Sequence, residues 1–70
     1  MIYFFSKGDR FVQCEIYPGR PHVLTVVDVS GAERTERFHS GGDLHDRWTE
    51  VQQQLLADGW SGPLGRDARG

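Results

Sequence analysis

Four groups of residues in this 70-residue chain have types that can do chemistry. His22, His39 and His45 with Cys14 are potential metal ligands, and a Cys–His pair can act as nucleophile and base. Their spacings match no metal-site pattern, and only His39 and His45 are near each other in sequence. Alternation over residues 10–17 turns Cys14 inward, where a thiol behaves as a small apolar group. Asp43, Asp46 and Glu50 are a candidate acid–base set, but all three lie in the first turns of a helix. Acids are expected there because they complement the positive end of the dipole. Gly41-Gly42 precedes that helix and offers free N–H groups to an anion, with the Asp43 carboxylate competing for the same place. The reading is that the chain has no catalytic residue, no cofactor-binding residue and no metal ligand, and is not an enzyme.

The fourth group is Tyr3, Phe5, Arg10, Phe11, Tyr17 and Arg20. Aromatic side chains on an open sheet with basic loops can stack single-stranded nucleic acid. Ten acids against eight bases leave a net charge of −2, which provides no basic field for phosphates. These six residues are therefore read as an interaction surface for a second copy or another protein partner. Single-stranded nucleic acid is the alternative.

One helix is expected to position the rest. Leu44, Trp48, Val51 and Leu55 recur at spacings of four, three and four, which makes an apolar stripe on a helix over 43–58. Ser40 or Asp43 caps its start. Gly59 can take the left-handed conformation that ends a helix, Trp60 then folds back onto Leu55, and Pro63 prevents continuation.

Residues 1–39 read as four strands. Ile2 to Phe5 are strand formers, and Gly8-Asp9 breaks the run. Over residues 10–17, Val12, Cys14 and Ile16 share one face, with Phe11, Gln13, Glu15 and Tyr17 on the other. Pro18-Gly19-Arg20-Pro21 is a turn, His22 to Val29 is a strand apolar on both faces, and Ser30-Gly31 marks another turn. Residues 32–39 are rich in charge, as suits an exposed sheet edge.

The expected fold is α+β: a four-stranded antiparallel meander followed by one C-terminal helix packed on one face. The domain spans 1–62, and 63–70 form a flexible tail. The core is Ile2, Phe4, Val12, Cys14, Ile16, Leu24, Val26, Phe38, Leu44, Trp48, Val51 and Leu55. One helix is narrower than a four-stranded sheet, so an apolar face is left without cover. A domain this small gains little more from burial than ordering its chain costs. With one cysteine and no zinc pattern, self-association is the remaining support, and a homodimer is expected. Met1 to Phe5 is too short to span a membrane and precedes Lys7 rather than following a basic segment, so a cytoplasmic location with no membrane partner is expected.

The closing residues Gly59-Trp60-Ser61-Gly62-Pro63-Leu64-Gly65-Arg66-Asp67 resemble the end of small uncharacterised bacterial proteins carrying a GW-x-GP-x-GRD pattern. That resemblance implies no activity. The order of four strands then a helix is similar, in topology only, to Whirly and Pur-type single-strand-binding units.

Overall fold

Gly8 and Asp9 form a two-residue connection between β1 (Ile2–Lys7) and β2 (Arg10–Tyr17). Lys7 pairs with Arg10, and the antiparallel register follows from that pair: Phe5 lies opposite Val12 and Tyr3 opposite Cys14. β3 (His22–Val27) pairs with β2, setting Leu24 against Ile16 and Val26 against Cys14. The Asp28 carboxylate accepts from the Ser30 hydroxyl at 2.6 Å and from the N–H groups of Ser30 and Ala32 at 2.9 and 3.1 Å. These bonds shape the turn into β4 (Glu33–Phe38) and, led by the Ser30 hydroxyl, hold the Asp28 carboxyl below its ordinary pKa.

The computed structural model describes residues 1–66. Its helix α1 runs Gly41–Ala57, starting two residues earlier than the apolar stripe alone suggests. Ser40 is the N-cap, its hydroxyl accepting from the Asp43 N–H at 3.1 Å. At the other end, Trp60 N–H donates to the Leu55 carbonyl at 3.0 Å and Gly59 N–H to the Leu56 carbonyl at 3.1 Å. This is the paired closure of a Schellman motif, with Gly59 at φ +92°. Trp60 is thereby directed into the core, where it is 9% exposed.

Among the described residues the sheet has five strands, not four, in the order β4-β3-β2-β1-β5. β5 (Ser61–Arg66) pairs antiparallel with β1, placing Leu64 opposite Phe4 and Gly65 opposite Tyr3. The expected tail, 63–70, is therefore corrected over 63–66; its remainder, 67–70, lies outside the described residues. Proline and glycine hid this strand in the sequence. An edge strand tolerates Pro63, whose missing N–H can face away from the ladder. The helix makes the topology possible. α1 joins the end of β4 at one edge to β5 at the other, running back along the sheet so that Leu55 and Asp58 still line a groove with Arg34 of β4.

The core under the helix is Phe5, Val12, Cys14, Ile16, Leu24, Leu44, Val51 and Trp60, with Tyr3, Val26, Phe38, Trp48 and Leu55 packed against it. Trp48 stacks on Tyr3 with centroids 5.3 Å apart and meets the Phe5 ring edge-on at 6.2 Å. Ile2 and Phe4, expected in this core, lie half-buried on the other face. The pairing of Lys7 with Arg10 sets the parity of β1, so Ile2 and Phe4 fall opposite Glu15 and Gln13 on the polar side of β2.

Candidate interaction surface

The face of the sheet away from α1 carries no second layer of secondary structure among the described residues. Register lays its side chains out in rows. Leu64, Phe4, Gln13, Val27 and Glu33 form one row across the sheet, and Ile2, Glu15, Thr25 and Thr35 the next. Beyond them Tyr17, Val23 and Arg37 make a third, and Ser6 pairs with Phe11 near the first turn. Phe11 is 56% exposed, Tyr17 47% and Leu64 56%.

A polar seam crosses this apolar field. The Glu15 carboxylate accepts from Gln13 Nε2 at 2.8 Å and from the Tyr17 hydroxyl at 3.0 Å. The bond to Glu15, followed by its charge, raises the pKa of Tyr17. Thr25 and Thr35 hydroxyls lie 3.0 Å apart. The seam holds the side chains of β2 in place without closing the surface.

The six residues of the expected surface divide. Phe11 and Tyr17 lie on the open face, at opposite ends of β2. Tyr3 and Phe5 do not: Phe5 is fully buried and Tyr3 stacks on Trp48, both beneath the helix. The parity fixed by the first turn places them there. Arg10 is exposed beside that turn, and Arg20 is exposed in the β2–β3 loop. There Arg20 lines an open hollow of about 500 Å³ with His22, Phe38 and His39. Ile2, Phe4 and Leu64 belong to the open face and are absent from the expected set.

The other candidate chemistry is dispersed. His22 Nδ1 accepts from the Gly19 N–H at 3.1 Å and so braces the β2–β3 loop. Among the described residues no three His, Cys, Asp or Glu side chains gather into a metal site. Glu50 bonds Arg47, and Glu36 accepts from the same guanidinium at 3.0 Å, so this acid belongs to a helix–β4 tie. Glu36 first, then Glu50, keeps Arg47 charged beyond its ordinary range. A groove of about 350 Å³ lies between α1 and β4, with Val26, Val51 and Leu55 in it and Arg34 and Asp58 on its rim. No family model, curated protein or solved structure matches the chain. Among the described residues no helix is long and apolar enough to cross a membrane.

Cys14 sits wholly within the core, and burial pushes its pKa from 9.0 up to about 11. The thiol should resist alkylation in the native protein at neutral pH and react at once in denaturant, as followed by a chromogenic thiol reagent. Rapid native labelling would show the sheet opening. The sign of the stability effect follows. The folded pKa lies above the unfolded one, so the contribution is fully present below about pH 9 and is lost as pH rises through about 11.

Proposed function

We propose that this chain is a non-enzymatic interaction module that self-associates through the uncovered sheet face. The observation that carries the reading is the coexistence on one face of three large side chains, Phe11, Tyr17 and Leu64, each about half exposed, with Ile2, Phe4, Val23 and Val27 between them. An apolar field of this kind on a small domain marks a docking surface. A second copy suits its size. The two longer extents of the molecule, 35 and 27 Å, bound the face at about 950 Å², close to the ~800 Å² per partner of a standard interface. A self-complementary stack also supplies the support that one thin core lacks.

The nucleic-acid alternative has less behind it. Tyr3 and Phe5 are committed to the core, so two of its four stacking rings are withdrawn. Glu15 and Glu33 stand on the face that would meet phosphates, and the net charge is −2.

Phe11→Ser tests the reading, because this exposed residue contributes to the surface and little to folding. The variant should unfold within about 0.5 kcal/mol of the parent. Its self-association constant, from sedimentation equilibrium, should fall on the order of tenfold or more. A parent that stays monomeric at high micromolar concentration, or a variant that associates equally well, would defeat the proposal.

A further inference from the structure

The two edges of the sheet are not alike. At one edge β5 contains Pro63 in its middle and an irregular register against β1. Proline removes a donor, and the bulge bends the strand, so this edge is a poor template for another chain. At the other edge, β4 pairs with β3 without interruption from Glu33 to Phe38 and contains no proline or glycine. Among the described residues no strand lies on its outer side.

Charge on an edge normally discourages pairing because like charges meet. Here the order of charges does the opposite. Residues 33–37 read Glu-Arg-Thr-Glu-Arg. Laid antiparallel against a second copy about a two-fold axis at Thr35, every charge meets its opposite. Glu33 falls across from the second copy's position 37, an arginine, and Arg34 across from its position 36, a glutamate, and the symmetry repeats both pairs. Thr35 meets its own counterpart.

The side chains also fall on the correct faces. Glu33, Thr35 and Arg37 project on the open face with Val27, Thr25 and Val23, whereas Arg34 and Glu36 project on the helix face with Val26 and Leu24. Directly opposed residues in an antiparallel pair share a face, so both kinds of charge pair form without twisting the strand. A two-fold axis normal to the sheet leaves both helices on one side. Glu36 keeps its bond to Arg47, since a carboxylate can accept from two cations.

We propose that β4 pairs antiparallel with β4 of a second copy, centred on Thr35, to give a continuous ten-stranded sheet. The contact is isologous, and β5 cannot extend it into a filament, so it closes as a dimer. It uses a surface distinct from the open face: the edge joins two copies side by side, and the two open faces merge into one wider platform. Pairing along one short strand buries less than a standard interface, so the contact belongs to the weak, concentration-dependent class.

Two exposed charges test the register. Neither Glu33 nor Arg37 takes part in the ion pairs that tie α1 to β4. The Phe11→Ser background weakens the open-face contact, and the charge reversals with their rescue then read the edge contact separately. In that background, sedimentation velocity from about 10 µM to about 1 mM covers the range for weak interfaces. Glu33→Lys sets a lysine against Arg37, and Arg37→Glu sets a glutamate against Glu33. Each should weaken association on the order of tenfold, more at low salt. An equimolar mixture of the two variants should recover the parental constant. In the mixed pair the lysine introduced at position 33 of one chain meets the glutamate introduced at position 37 of the other, while the native Arg37 and Glu33 meet at the second contact. The double variant E33K/R37E should also recover. Single variants that associate like their parent would overturn the proposal. So would a mixture as weak as its components, or a Phe11→Ser parent that remains monomeric throughout.

Discussion

Phe5→Ala should be among the most destabilising single substitutions in the chain, at about 3–5 kcal/mol. The ring is fully buried, lies opposite Val12 in the sheet, meets Trp48 edge-on and rests against the backbone of Gly62. Removing it empties the junction of β1, the helix and β5 together, and the surrounding sheet is hydrogen-bonded on both sides and cannot collapse inward. Domains of this size have roughly 5 kcal/mol or so to lose, so the alanine variant should be substantially unfolded at ambient temperature. Phe5→Leu keeps most of the volume and gives a folded variant whose loss can be measured. Urea unfolding should rank Phe5→Ala below Phe5→Leu, and both below Phe4→Leu on the half-buried open face. The inverse rank would mean that Phe4 is the inward residue and that the strand parity is wrong.

That parity is available from the residues. Gly8-Asp9 is a two-residue connection, and such a turn makes its flanking residues partners. Lys7 then opposes Arg10, and counting outward sets Phe5 on Val12 and Phe4 on Gln13. The run Ile2-Tyr3-Phe4-Phe5 offers no polar residue to show which side is inward. Taken alone it is symmetric, and the expectation that Ile2 and Phe4 face the core has nothing local to decide it. The clean alternation of β2 holds the answer one strand away. The helix is far more legible, because its stripe, its Ser40 cap and its Gly59 closure are local signals that agree.

The open face is legible as a need for cover rather than as a set of residues. Phe11 and Tyr17 are visible from β2 alone. The same parity error puts Tyr3 and Phe5 on that face and removes Phe4 and Ile2 from it. Leu64 escapes notice, because its strand is written in residues that normally signal a loop. One signal for β5 does exist: glycines recur at 59, 62 and 65, and the last two lie where β1 presents aromatic rings. Glycine opposite an aromatic ring in a sheet lets the ring cover the bare backbone, which offsets the weak strand propensity of glycine. The charge of β4, taken as a total, describes only a solvated edge. Its mirror-like order carries meaning only once the strand is known to lie at an edge with its outer side free.

Gly62→Ala should expose how much the fifth strand contributes. A Cβ at this position would lie 2.8 Å from the Phe4 carbonyl oxygen and 2.8 Å from Phe5 Cδ2, and the backbone there has φ +150°. The first clash is with backbone that is itself locked in the β1 ladder, and the second is with the most buried ring in the protein. Neither neighbour can give way cheaply, and the conformation is one that L-residues rarely adopt. Strain of about 1–3 kcal/mol and overpacking of a similar size add to a loss of roughly 3 kcal/mol. Gly65→Ala provides the control on the same strand. Its added Cβ would come within 3.3 Å of the Tyr3 ring edge alone, at a backbone angle open to alanine, and a shift of a few tenths of an ångström relieves it. That variant should lose less than about 1 kcal/mol. In a Trp48→Phe background Trp60 reports on the outcome, since it lies buried immediately before β5. Gly62→Ala should red-shift Trp60 emission at low urea, before global unfolding, as the strand detaches from β1. Equal stability of the two alanine variants would mean that residues 61–66 do not pair with β1 in solution. The helix would then end at Gly59 with β1 as a bare edge, and the asymmetry that assigns β4 as the pairing edge would disappear with it.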